Sequence, residues 1–389
     1  MIQENKIEEV LTRGVENIYP NKEALEEVLK SGKKIKLYCG YDATAPTLHI
    51  GHAITLKKLK QFQNLGHEII FLLGDFTTMI GDPTDKTATR KKLTREEVSE
   101  NMKSYKEQAG KIISFEGENP AKVLYNSEWN DKLTFIELIE LASNFTVQQM
   151  IQRDMFQQRI KDDKPIYLHE FLYPLTQAYD SVAMEVDLEV GGNDQTFNML
   201  AGRDLMKAVK NKEKFVLTTK LLVDSSGVKM GKTEGNIVNL DEKPNQMFGQ
   251  IMAWSDELII PGFELLTDLD VKKIDNPRDD KAKLAKAIIE IFYSKKEAEE
   301  AEKEFEKIFK KKDKPTKIPI AKVSRGDYKI ADLLFQIGLS ISKGEAMRLI
   351  DQGGVKINDQ KIDDKHKTIT VEDKMIIQVG KRKFIQIRI

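Results

Sequence analysis

Residues 34–75 limit most strongly what this chain can become. "KIKLYCGYD" (34–42) reads as a strand running into a glycine turn. Thr47 to Leu65 reads as a helix that Gly66 is placed to end. "EIIFLLGD" (68–75) is a continuous apolar run, the pattern of a strand buried on both faces. Strand, helix and strand within about forty residues predict a parallel βαβ unit, and hence an α/β domain with a parallel sheet.

The flanking segments extend that frame. Met1 to Leu29 reads as helices broken at Pro20 and Asn21. Thr94, with Glu97 three residues on, predicts a capping box opening another helix. Helical patterns then alternate with short strands as far as "MEVDLEVGGND" (184–194). "KFVLTTKLLVD" (214–224) is expected to be extended, and "SSGVKMGKTEGN" (225–236) is a polar, Gly-rich loop. Residues 243–312 look helical and end in a charged run, a solvated helix followed by a linker at Pro315 and Pro319. From Val323 to Ile389 a compact tail is expected, with "YKIADLLFQIGLSISKGEAMRLIDQGG" helical before the strands "VKIN", "TITVED", "KMIIQVG" and "KFIQIRI".

Composition narrows the classes. The 389 residues suggest two or three domains. Basic and acidic residues balance at 62 each, so local charge matters more than the total. The single cysteine, Cys39, excludes an intramolecular disulfide and predicts a reducing, cytoplasmic setting. The N-terminal stretch is amphipathic and acidic, without the apolar run of a signal peptide. No segment is apolar for 18 residues, so no membrane span is expected.

Two elements carry chemistry. His49 and His52, two of only five histidines, sit three apart around Gly51 where the first helix should begin. Zinc takes three or four ligands, and neither Cys39 nor His67 falls at a familiar ligand spacing, so no metal site is expected. Two ordinary surface histidines are a second reading. A phosphate site fits better: a glycine turn entering a helix offers backbone N–H groups and the positive dipole end, and two imidazole Nε2 groups add donors. Gly51 leaves room for a flat base. The second element is "KMGKT" (229–233), two lysines around a glycine, without P-loop spacing. Lysines on such a loop suit the neutralisation of a leaving polyphosphate.

"HIGH" with a KMSKS-like loop some 180 residues on resembles the class I aminoacyl-tRNA synthetases. That family activates an amino acid with ATP, accompanied by Mg²⁺, on a Rossmann-type sheet and then loads it onto tRNA. The loop departs from the family pattern at Gly231 and Thr233, and both lysine positions, Lys229 and Lys232, are kept. The resemblance implies catalytic roles for Thr44, His49, His52, Lys229 and Lys232. It implies ATP contacts at Gly40, Asp42, His49, Gly51, His52, Lys86, Arg90, Asp194, Lys229, Lys232 and Thr233. For Lys86 and Arg90 a solvated basic loop is the alternative.

"YPLTQAYD" (173–180) is similar to the pocket helix of the tyrosyl branch of that family. Tyr173, Gln177 and Asp180 recur at 0, +4 and +7, one helix face, and a core face would not carry Gln and Asp. The resemblance implies that Tyr38 and Asp180 bind a phenol hydroxyl, and that Tyr173, Gln177 and Asp82 hold an ammonium. "GGNDQTFN" (191–198) resembles a further pocket element containing Asp194 and Gln195. Admitting phenylalanine would leave Tyr38 and Asp180 desolvated without a partner, an effect of which tyrosyl enzymes are a standard illustration. The tryptophanyl branch, which shares the fold, is the nearest rival.

"LSISKGEAMRLIDQGGVKIND" (339–359) resembles the S4 RNA-binding module. Residues 322–389 carry 14 Lys+Arg against 9 Asp+Glu, a local excess suited to phosphate contacts. Lys343, Arg348 and Lys356 match the contact region of that module. The expected organisation is a catalytic domain (1–238), a helical anticodon-binding domain (239–318), in which "NPRDDKAKLAKAI" (276–288) is similar to the family's helical segment, and an α+β S4-like domain (323–389). The family implies L-tyrosine and tRNA(Tyr) as partners, and a homodimer whose interface lies in the 115–165 insertion. A non-enzymatic RNA-binding protein and a small-molecule adenylyltransferase are the competing classes. The first leaves the two motifs unexplained, and the second leaves the tail and the phenol pocket unexplained.

Overall fold

The computed structural model describes residues 2–84, 92–223, 237–310, 318–358, 360–380 and 383–389. Two compact units divide the chain between Ala298 and Glu299. In the first, six strands form one sheet: β1 (Val15–Tyr19), β2 (Lys36–Tyr41), β3 (Glu68–Leu73), β4 (Lys122–Tyr125), β5 (Leu188–Gly192) and β6 (Phe215–Thr219). Their order is β1-β6-β5-β2-β3-β4. All neighbours run parallel except β1 and β6.

The predicted βαβ unit is present. β2 and β3 pair in parallel from Lys36↔Glu68 to Tyr41↔Leu73, joined through the helix Ile50–Asn64. Gly66 follows that helix at φ +89°, a conformation that costs glycine nothing. Phe71 and Leu72 are almost fully buried, as a two-sided apolar strand requires. The Thr94–Glu97 capping box also forms, with reciprocal side chain-to-backbone bonds at 3.2 and 2.9 Å.

The N-terminal segment differs from expectation. Helices Ile2–Thr12 and Lys22–Lys30 flank a strand, β1, which pairs antiparallel with β6. "VENIY" shows no alternation of polar and apolar side chains, and the open edge of β6 supplies hydrogen-bond partners that no local pattern could anticipate. Asn21 still opens the second helix, accepting from Ala24 N at 2.8 Å.

The helices Pro244–Met252, Ile259–Leu266 and Pro277–Phe292 form the expected helical middle. They share the first compact unit with the sheet. The Arg13 guanidinium donates to the carbonyls of Phe263, Glu264, Thr267 and Leu269. The change near residue 239 therefore separates two architectures within one contact unit.

In the second unit, a five-stranded sheet has the order β10-β9-β12-β13-β7, and β11 pairs with β8. These strands are β7 (Ile320–Lys322), β8 (Asp327–Lys329), β9 (Val355–Ile357), β10 (Gln360–Lys361), β11 (Thr368–Thr370), β12 (Ile376–Val379) and β13 (Lys383–Arg388). All four expected strands appear. β7, β8 and β10 are additional, and at two or three residues they are too short to show alternation. Helices Ile330–Gln336 and Lys343–Asp351 pack Leu333, Leu334 and Ile350 into its core with Val355 and Ile377. Lys343 begins the second of these helices and pairs with Asp332 at 2.8 Å. Arg348 lies on the same helix, and Lys356 is exposed on β9.

Candidate active site

The first sheet grows in opposite directions from the β2–β5 step, with β3 and β4 beyond β2, and β6 and β1 beyond β5. At such a switch point the loops leaving the carboxyl ends of the strands part and open a crevice. A cleft of about 1160 Å³ lies there. Tyr38, Gly40, Asp42, Thr44, His49, Gly51, His52, Asp82, Tyr173, Gln177, Asp180, Asp194 and Gln195 all line it. Lys86, Arg90, Lys229, Lys232 and Thr233 lie outside the described residues.

At one end stand the histidines. The helix begins at Ile50, later than the expected Thr47, because His49 is its N-cap. His49 Nδ1 accepts from Gly51 N, and His52 Nδ1 accepts from His49 N, each at 3.1 Å. A neutral imidazole that accepts at Nδ1 carries its proton at Nε2, so both rings keep a donor nitrogen. The chain just beyond the lysine segment is held against this turn. Ile50 N donates to Val238 O at 2.9 Å, Leu240 N donates to Leu48 O at 2.9 Å, and His49 forms a β-bridge with Asn239.

The other end is acidic and enclosed. The Asp180 carboxyl accepts from Trp129 Nε1 at 2.7 Å, Asn130 Nδ2 at 3.1 Å and Asn126 Nδ2 at 3.2 Å. Burial pushes its pKa up to about 8 against the pull of those three donors. Asp82 accepts from Gln195 Nε2 at 2.7 Å and from Thr84, and Arg153 lies 3.8 Å away. Burial raises this carboxyl too, against those bonds and the Arg153 charge. Tyr173 donates its hydroxyl to Asp42 Oδ2 at 3.0 Å, so the residue implied for nucleotide contact also orients a residue implied for the amino acid. Such carboxyls suit an ammonium and a hydroxyl donor, and the histidine end suits an anion.

Several side chains here went unread in the sequence. Asn126, Trp129 and Asn130, which hold Asp180, sit at 0, +3 and +4 in "NSEWN", a polar helix face that could have been noticed. Arg153, Ser181, Glu189 and Lys214 carried no motif. Among the described residues, no group of three or more His, Cys, Asp or Glu side chains converges as a metal site. Cys39 is buried on β2, and His67 accepts the Ile35 N–H.

Residues 30–310 match the family model for class I tRNA synthetases (W and Y), and residues 304–387 match the tyrosine–tRNA ligase SYY-like C-terminal domain. The chain is 44% identical to the tyrosine–tRNA ligase of Carboxydothermus hydrogenoformans, over 97% of each chain. It is 41% identical to the tyrosine–tRNA ligase of Thermotoga maritima, over 97% of this chain and 96% of that one.

The chain belongs to the tyrosine–tRNA ligase family.

Tyrosine–tRNA ligases of this family activate tyrosine with ATP and transfer it to tRNA, and that is this enzyme's activity. The fold agrees with solved tyrosyl-tRNA synthetases. A C-terminally truncated mitochondrial enzyme from Aspergillus nidulans superposes with TM-score 0.65 at 21% identity, covering 78% of this chain and 94% of that one. One from Archaeoglobus fulgidus, complexed with L-tyrosine, gives 0.59 at 21% identity, covering 77% and 99%. The tyrosine–tRNA ligase assignment leaves the tryptophanyl rival without support among these relatives.

Proposed function

We propose that the tyrosine carboxylate attacks the ATP α-phosphorus in line across this cleft, displacing pyrophosphate, and that the tRNA terminal hydroxyl then attacks the adenylate. The carboxylate is already a nucleophile, so positioning and charge stabilisation supply the catalysis. His49 and His52 donate from Nε2 to the phosphates, with Thr44 in the turn before them. Gly40, Asp42, Gly51 and Asp194 contact the nucleotide. Lys229, Lys232 and Thr233, with Lys86 and Arg90, meet the departing pyrophosphate. Tyr38 and Asp180 take the phenol hydroxyl, and Asp82, Tyr173, Gln177 and Gln195 take the ammonium. Mg²⁺ accompanying ATP would shield its phosphate charge.

The observation that carries this reading is the polarity of one cleft, with two imidazoles capped through Nδ1 at one end and buried Asp180 and half-buried Asp82 at the other. The basic tail domain, through Lys343, Arg348 and Lys356, and the helical middle bind tRNA(Tyr). The domain limits near 238, 318 and 323 follow from that division of labour. The enzyme works as a homodimer: Phe135, Ile136, Ile139 and Val147, within the 115–165 segment, are 78%, 61%, 49% and 67% exposed, an apolar surface that a second copy would cover. Its one buried cysteine suits the reducing cytoplasm.

Pyrophosphate exchange with tyrosine, phenylalanine and tryptophan tests the assignment. Tyrosine should be strongly preferred, and Lys232→Ala should slow exchange at least ~10-fold, the scale of one lost charge-assisted contact. Unchanged exchange would remove Lys232 from the chemistry.

A further inference from the structure

Beneath the phenol end of the cleft lies a charged pair that the chemistry above does not use. Lys214 and Glu189 form an ion pair with side chains 0% and 3% exposed. Buried pairs of this kind seldom outperform an apolar pair of similar volume in stability. Glu189 stands on β5 in register with Tyr38 of β2, and Lys214 immediately precedes β6. Lys214 Nζ donates to Ser181 Oγ at 2.8 Å. Ser181 Oγ lies 3.0 Å from the Tyr38 hydroxyl and 3.5 Å from Glu189 Oε2. The other Glu189 oxygen accepts from Gln177 Nε2 at 3.2 Å. Glycine at 202 makes room for this cluster, because a Cβ there would lie 2.6 Å from Lys214 Nζ and 2.9 Å from Ser181 Oγ.

The chain of donors has a direction. An ammonium donates three hydrogen bonds and accepts none. Lys214 therefore engages Ser181 Oγ as an acceptor and polarises the serine proton onward. The nearer acceptor for that proton is Tyr38. Glu189 also faces the Tyr38 hydroxyl, but its Oε2 is engaged by Lys214; with Tyr38 accepting from Ser181, its own proton can turn toward the cleft that it lines. The ionised Asp180 carboxylate can only accept. A substrate phenol, donor and acceptor at once, then meets one of each.

We propose that the buried Lys214–Glu189 pair positions the recognition site for a hydroxyl-bearing aromatic side chain, by directing the Lys214→Ser181→Tyr38 hydrogen bonds and by holding the Gln177 amide. The proposal rests on the assignment of Tyr38 and Asp180 to the phenol.

The test uses the full-length enzyme and pyrophosphate exchange. Glu189→Gln with Lys214→Met removes both charges together and leaves neither orphaned. The tyrosine KM should rise and the tyrosine-to-phenylalanine ratio of kcat/KM should fall at least ~10-fold, with the ATP KM within about twofold. Ser181→Ala should lower the ratio likewise, and it decides the matter where the double variant does not fold. In a Tyr38→Phe background the double substitution should change the tyrosine-to-phenylalanine ratio little, because the pair reaches the hydroxyl through Tyr38, whereas the Gln177 contact bears on both amino acids alike. An unchanged ratio in a folded variant, or tyrosine and ATP KM rising together, overturns the proposal. Tyr38→Phe separates the two failures: a ratio lowered by Tyr38→Phe leaves the pocket assignment standing, and a ratio untouched by it removes that assignment and the proposal with it.

Discussion

His49 and His52 cap one helix turn reciprocally, each accepting a backbone N–H at Nδ1, which places the proton of a neutral ring on Nε2. Their rings stack with centroids 3.8 Å apart and planes at 27°. The spacing places both residues where the helix should begin. In the folded chain the first ends the turn before the helix and the second reaches back to it. The capping bonds fix both tautomers, so the helix start and the proposed phosphate donors are one arrangement.

That arrangement separates stability from chemistry. His52→Ala removes the acceptor for His49 N and should cost about 1 kcal/mol, along with a slower pyrophosphate exchange. His52→Gln can restore the reciprocal cap, since Gln at this position is a normal capping-box partner. Thermal denaturation should then recover while exchange stays at least ~10-fold slow, the loss of one charge-assisted contact. Recovery of both would leave His52 with a capping role alone.

Asp180 predicts a pH dependence. Its carboxyl is raised to about 8 by burial, and the ionised form accepts the phenol hydrogen bond more strongly than the protonated one. The tyrosine KM should fall as pH rises from 6.5 to 9, and Asp180→Asn should abolish that trend while weakening tyrosine binding throughout. The folded state holds a proton that the unfolded chain releases near 3.8, so this residue's contribution to stability is greatest below that value and is lost as pH rises to about 8. A flat KM profile in the parent enzyme would contradict the assignment.

Lys58 acts in the opposite sense. Its Nζ is buried and donates to Val10 O at 2.7 Å and Arg13 O at 2.9 Å, and burial lowers its pKa to about 7. A neutral amine still has two N–H groups for two carbonyls. Between about 7 and the ordinary lysine value of 10.5 the unfolded chain binds the extra proton, so stability rises with pH across that window. Denaturant titrations at pH 7 and pH 9.5 should differ in this direction. Lys58→Met should shrink the difference and lower stability at both values by roughly 1–3 kcal/mol for the two orphaned carbonyls.

The apolar surface of the 115–165 segment predicts a change in assembly. Ile136→Asp places a charge on a residue 61% exposed in the single chain, where an isolated substitution is nearly neutral, within roughly 0.5 kcal/mol. Light scattering at micromolar concentration should show a dimer for the parent enzyme and a monomer for the variant, with the melting transition of the chain largely kept. A parent enzyme that is monomeric and fully active would refute the dimer.

Much of the fold was readable because it is written in neighbours along the chain. The apolar run at 68–73 has the pattern of a strand buried on both faces, and Thr94 with Glu97 marks its own helix start. Tyr173, Gln177 and Asp180 mark a polar helix face over about two turns without reference to any partner. β1 was missed because "VENIY" becomes a strand only where β6 leaves an edge open. Asn126, Trp129 and Asn130 were passed over because their common target, Asp180, lies 50 or more residues away.

The linear chain already carries the groups proposed for the chemistry: two histidines at a helix start, two lysines in a glycine-containing segment, and a helix face carrying Tyr, Gln and Asp. These are local patterns, and local patterns survive in a linear string. The tertiary structure alone decided how those groups are held. Ser181 meets Tyr38 across 143 residues, and Lys214 reaches Glu189 only because β5 and β6 lie side by side. Hydrogen-bond partners are chosen by which strands become neighbours, and burial decides which of those bonds must be made.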